Sequence, residues 1–198
     1  MNPPPFAALN RIPFESNTLR LDWTSNFSLD GVSPPGGRNL YATITYSPSE
    51  ALDRQMQDIL VQEARSVNEI VGLQTGLVIQ PIYEAAIKNG KNRGGNAAGI
   101  ESDGPLTVVL FSTRWVNAED DDKANELARS WVKRAVDAAA AAGKHNRWLY
   151  INYASKDQDP FAGYGVENRR RLESIQKAVD PKGIFSSRGL CRGYFKLS

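Results

Sequence analysis

Tyr41, Thr43 and Thr45 alternate along one stretch of β-branched and aromatic residues; Phe111, Thr113 and Trp115 alternate along a second, and Trp148, Tyr150 and Asn152 along a third. Strand side chains point alternately to opposite faces, so these sets, with Gln80, are predicted to share one face of a sheet. A face that mixes large rings with hydroxyls and amides is neither dry core nor ordinary charged surface. It suits a small, mostly apolar molecule held by a few oriented polar groups. There Tyr150 would act as a hydrogen-bond donor or general acid, with Asn152 and Gln80 orienting polar groups of the substrate. Tyr41, Phe111 and Trp115 would wall the pocket, and Thr43, Thr45 and Thr113 would add polar contacts. The same face also suits a homodimer interface or coverage by the N-terminal residues, and two such faces stacked symmetrically can enclose a cavity.

Other chemistries are poorly served. The single Cys191 excludes an internal disulfide framework and reads as structural, while the single His145, distant in sequence, reads as a surface residue. Asp120, Asp121 and Asp122 stand where a helix begins, where the macrodipole favours negative charge; no histidine cluster joins them, so no metal site is expected. The run from Gly94 to Gly99 has the wrong spacing for a phosphate-binding loop. Net charge is +2, and Arg169, Arg170 and Arg171 sit between Glu167 and Glu173. A nucleic-acid partner is therefore not expected. No apolar run approaches the roughly 18 residues of a membrane span. The start at Met1-Asn2-Pro3 has neither the basic nor the apolar part of a secretory signal, so a cytoplasmic protein is expected.

A chain of 198 residues can bury the core of one domain. Residues 1–38, rich in Pro, Ser, Asn and Gly, read as an extended arm, and 39–198 as a single α+β domain. Residues 41–46 read as a strand. Ser49 then caps a helix in which Leu52, Met56, Ile59, Leu60, Ala64, Val67 and Val71 recur at helical spacing until Gly72. Residues 77–80 make a short strand ended by Pro81, 82–88 a brief helix, 92–99 a loop and 106–115 a strand. Asp120 to Asp122 open a second long helix with Ala124, Leu127, Ala128, Trp131, Val132, Ala135 and Ala139 on its apolar face. A fourth strand at 148–153 and a terminal helix at 166–178 complete the order. Two strand-helix-strand units in tandem predict a ferredoxin-like antiparallel sheet with both long helices on one face. Ala42, Ile44, Leu77, Ile79, Val108, Leu110, Leu149 and Ile151 are expected beneath those helices, and the opposite face is expected to lack a cover.

Several stretches taken in order and spacing carry a family resemblance. They are Gly94-Gly95-Asn96-Ala97-Ala98-Gly99, Trp148-Leu149-Tyr150-Ile151-Asn152-Tyr153-Ala154, Tyr164-Gly165-Val166-Glu167-Asn168, Asp180-Pro181-Lys182-Gly183-Ile184-Phe185 and Gly193-Tyr194-Phe195-Lys196-Leu197. Together they resemble the C-terminal, substrate-binding portion of flavin-linked oxidoreductases of the berberine bridge enzyme and vanillyl-alcohol oxidase superfamily, along nearly the whole chain. The resemblance implies a sheet whose bare face roofs a flavin ring, with a Tyr-x-Asn-Tyr segment near flavin and substrate; it points to Tyr150, Asn152 and Tyr153. It also implies a separate FAD-binding half, to which no stretch of this sequence corresponds. Most contacts to the dinucleotide would then be missing, so no cofactor is expected for the chain alone, and FAD only with a separate flavin-binding partner.

Three functions follow. The first is a stand-alone, cofactor-independent enzyme of secondary metabolism performing a redox-neutral cyclisation, cycloaddition or isomerisation in the pocket. The second is the substrate-binding part of an FAD-linked oxidoreductase. The third is a non-enzymatic ligand-binding or dimerisation module.

Overall fold

The computed structural model describes residues 4–13, 15, 16, 20–30, 36–100, 104–185, 195 and 197. Cys191, Pro34, Pro35 and the Gly193-Tyr194 part of the terminal motif lie outside them. The chain divides into two compact units, Met1–Gly36 and Gly37–Ser198. The first contains short 3-10 turns at Pro4–Phe6 and Leu9–Arg11 and helix α1, Thr24–Leu29.

The second unit holds strands β1 (Arg38–Tyr46), β2 (Gln74–Ile82), β3 (Leu106–Trp115) and β4 (His145–Asn146), with helices α2 (Glu50–Arg65), α3 (Glu84–Asn92), α4 (Asp121–Ala141), α5 (Pro160–Gly163) and α6 (Val166–Val179). The sheet is antiparallel with strand order β2-β3-β1-β4, the ferredoxin-like arrangement that two strand-helix-strand units generate. Pro81 is accommodated because β2 is an edge strand.

Both long helices cover one face because each has one apolar stripe to bury. Leu52, Met56, Ile59 and Leu60 of α2 and Leu127, Ala128, Trp131, Ala135 and Ala139 of α4 meet Ala42, Ile44 and Tyr46 of β1. At its far end α2 stops at Arg65, short of the predicted Gly72, and Val71 is exposed. Ser49 occupies the N-cap position, but its side chain makes no capping hydrogen bond. Tyr46 is fully buried and its hydroxyl donates to Asp53 Oδ1 at 2.6 Å; burial, and then that carboxylate, push its pKa far above the usual phenol range.

β3 sits in the sheet with the opposite facing from the one predicted. Its register places Phe111 opposite Ala42 and Val109 opposite Ile44, so Val109, Phe111, Thr113 and Trp115 face the helices and Val108 and Leu110 face away. The Phe111 ring stacks on Trp131 with centroids 5.2 Å apart. The strand is buried along most of its length on both sides. Apolar alternation therefore carries no information about which side is which, and the larger rings took the deeper space under α4.

The predicted strand at 148–153 is a turn. Ladder pairing ends at Asn146, whose side-chain oxygen accepts from Trp148 N at 2.9 Å, and Tyr153 N closes onto Tyr150 O at 2.9 Å. Leu149 and Ile151, expected beneath the helices, are only half-buried and form no part of the helix-side core.

Candidate functional site

The sheet face away from α2 and α4 has a partial cover of its own, contrary to expectation, over Val108, Thr43 and Thr45, while Tyr41, Val78 and Gln80 on the same face are exposed. Val108 there packs with Trp148 and Tyr164 in a second core that includes Ala98, Ile100, Tyr150, Tyr153, Phe161 and Leu172. Three of the five stretches that carry the resemblance, the glycine loop, the Tyr-x-Asn-Tyr segment and the Tyr164–Asn168 segment, meet at this cluster. In the glycine loop, Asn96 Oδ1 accepts from Ala98 N at 2.8 Å, and Ala98 O accepts from Trp148 Nε1 at 2.8 Å. Gly99, with φ +71°, lies directly against the Tyr164 carbonyl, which also accepts from Asn168 Nδ2 at 2.9 Å. Any side chain at position 99 would collide with that carbonyl, so the glycine is a requirement of packing as well as of backbone conformation.

This clamp sets the tyrosines. Tyr150 lies nearly parallel to Trp148 at a centroid distance of 6.0 Å and nearly perpendicular to Tyr153 at 4.8 Å. Asn152, exposed, donates from Nδ2 to the Tyr150 hydroxyl oxygen at 2.8 Å. That contact uses the oxygen as an acceptor and leaves the phenolic hydrogen available to another acceptor. Burial, reinforced by the nearby Tyr150, raises the Tyr164 pKa, so Tyr164 stays neutral.

A cavity of about 540 Å³ opens beside the first half of β1, bounded by residues 37–41, by Trp115, Asp121 and Asn125, and by Asn152, Ala154, Ser155 and Lys156. This is within the usual size range of small-molecule sites. One end is pinned by Arg38, whose guanidinium grips the Asp121 carboxylate through two hydrogen bonds; Trp115 Nε1 adds a third at 2.8 Å. These bonds, that of Arg38 first, hold the Asp121 carboxyl below the usual carboxylate range. Outside the cavity, one residue pair further along β1, Gln158 meets the strand at Thr43. Its Oε1 accepts from Thr43 N at 3.1 Å and from Ser155 N at 3.0 Å, and its Nε2 donates to Thr43 O at 2.7 Å.

The predicted site residues therefore separate. Asn152, Tyr41 and Trp115 border the cavity, Trp115 from the helix side of the sheet, while Tyr150 and Tyr153 lie in the adjoining cluster. Phe111 and Thr113 lie beneath the helices, away from the face to which they were assigned. Thr43 and Thr45 keep the predicted facing but are fully buried, so neither is open to a ligand; the Thr43 hydroxyl donates to Val109 O at 2.8 Å. Gln80 is exposed on edge strand β2 and does not border the cavity. Sequence reasoning missed Gln158, which sits in a polar run with no marking motif. It also missed the Arg38–Asp121 pair, whose members lie 83 residues apart.

No protein-family model matches the chain, and no solved structure matches it. Curated proteins do. The FAD-dependent monooxygenase sdcF of Emericella nidulans is 30% identical over 199 residues, which covers 98% of this chain and 41% of sdcF. An FAD-dependent monooxygenase of Fusarium proliferatum is 33% identical over 159 residues, 77% of this chain and 31% of that protein. The FAD-linked oxidoreductase aurO of Gibberella zeae is 37% identical over 71 residues, 35% of this chain and 14% of aurO. The chain is thus related to FAD-dependent monooxygenases and FAD-linked oxidoreductases, and it spans less than half the length of these relatives.

Proposed function

We propose that this chain is the substrate-binding part of an FAD-linked oxidoreductase of the berberine bridge enzyme type, acting in secondary metabolism, with Tyr150, Asn152 and the cavity beside β1 facing the reaction. The observation that carries this reading is the similarity to sdcF over 98% of the chain. The convergence of the glycine loop, the Tyr-x-Asn-Tyr turn and the Tyr164–Asn168 segment on one cluster supports it.

The described residues fit contact with a flat ring and offer a diphosphate one further cation besides Arg38, Lys156, at the cavity. Trp148, Tyr150 and Tyr153 offer an aromatic edge, but Arg38, the guanidinium nearest the cavity, is neutralised by Asp121. The flavin, when bound, supplies the two-electron acceptor. The work of this chain is positional. Trp148 and Tyr153 hold the Tyr150 ring, Asn152 fixes its hydroxyl oxygen, and the phenolic hydrogen is then directed at a substrate oxygen. Trp115 and Tyr41 wall off water on the cavity side.

The test is a chimera in which this chain replaces the matched stretch of sdcF. It should retain bound FAD, and Tyr150→Ala and Asn152→Ala should each alter the visible absorption of the flavin. A chimera whose flavin spectrum is indifferent to both changes, or product formation by this chain without flavin, would overturn the reading.

A further inference from the structure

The main chain of β1 carries an unused recognition element. Thr43 turns its N–H and C=O away from β3, since both are taken by the Gln158 side chain. Alternate residues of an antiparallel strand direct these groups the same way, so Tyr41 and Asn39 also present theirs on this edge. β4 pairs only with Thr45 and Tyr46. Among the described residues, no strand lies beside positions 39–41, and there the edge borders the 540 Å³ cavity.

The neighbouring rung shows what binds such an edge. Gln158 is a primary carboxamide, with carbonyl and N–H side by side, and it satisfies both main-chain groups of one residue at 3.1 and 2.7 Å. Tyr41 offers the same pair two residues along, about 7 Å away. We propose that the cavity binds a small molecule through a carboxamide or cis-amide (lactam) edge, whose carbonyl accepts from Tyr41 N–H and whose N–H donates to Tyr41 C=O. A trans amide turns its two groups in opposite directions and cannot engage both. The Tyr41 ring, which borders the same cavity, takes the apolar remainder of the molecule, and Asn152 also lines the cavity. This inference deepens the proposed function by naming a substrate class, and it rests on that reading only for calling the molecule a substrate; the binding itself needs no flavin.

The imide edge of a flavin ring carries the same donor-acceptor pair, so the experiment separates the two sources. The full chain is labelled with 15N-tyrosine; it has seven tyrosines, and the Tyr41 amide signal is assigned by its disappearance or displacement in Tyr41→Phe. Titration with δ-valerolactam at millimolar concentration should move the Tyr41 signal, and N-methyl valerolactam, which lacks the donor, should bind at least tenfold more weakly. A shift with lumiflavin and none with the lactam would support the recognition and assign it to the flavin. No shift with either, or equal shifts with both lactams, overturns the proposal. So does a Tyr41 signal that moves with protein concentration alone, which marks pairing between copies of the chain. Tyr41→Pro removes the donor where no ladder bond is needed and should abolish lactam binding measured by saturation transfer. Should that variant not fold, the comparison of the two lactams decides alone.

Discussion

Arg38 and Asp121 join the start of β1 to the first turn of α4 through a two-pronged ion pair, and Trp115 at the end of β3 donates to the same carboxylate. Asp121 stands where the helix dipole favours a negative charge, so one carboxylate serves as helix-start charge, ion-pair partner and wall of the cavity.

The pair gives stability a definite dependence on pH. The Asp121 pKa is depressed in the folded state, so its contribution is present above the unfolded carboxylate value and is lost as pH falls through the folded one. Urea midpoints should therefore fall between pH 5 and pH 2 by less in Arg38→Gln than in the parent chain, with the two curves closest at the acid end. A fall of equal size in both would show that the pair does not couple to folding.

The facing of β3 can be tested by truncation. Phe111→Ala removes a fully buried ring stacked on Trp131 and should cost about 3–5 kcal/mol. Tyr41→Ala, on the opposite face with its side chain half-exposed, should cost less than about 1 kcal/mol. Denaturant unfolding of the two variants should rank them in that order.

Two glycines should respond with opposite signs. Gly99→Ala forces a Cβ into the Tyr164 carbonyl at φ +71° and should destabilise by roughly 2 kcal/mol or more. Gly90→Ala, inside α3 with open space around it, should stabilise by about 0.5–1 kcal/mol. Thermal melts of both variants check the contrast.

Gln158 is the partner of three main-chain groups, so Gln158→Leu should cost about 2–4 kcal/mol by leaving buried Thr43 unpaired. Gln158→Glu keeps the two acceptor contacts but sets a carboxylate against the Thr43 carbonyl. Its folded pKa should be raised, so the variant regains stability relative to the parent below the unfolded carboxylate pKa and loses it as pH rises through the folded one. Guanidinium midpoints at pH 4 and pH 7 give the comparison.

The two long helices and their buried stripes were legible in the sequence, because one-sided burial imposes a period of 3.6 residues that Leu52–Leu60 and Ala124–Ala139 display. The ferredoxin-like strand order followed from the element order, since right-handed crossovers through a helix, each joining two parallel strands with a third between them, leave few alternatives. Tertiary structure alone decided the facing of β3, whose two sides are both apolar and differ only in what packs on them. It alone took residues 148–153 out of the sheet, where burying Trp148 against the glycine loop replaced a rung of ladder. It also brought Gln158 to Thr43 across 115 residues, a contact between a polar side chain and main-chain atoms that no local pattern of residue types can record.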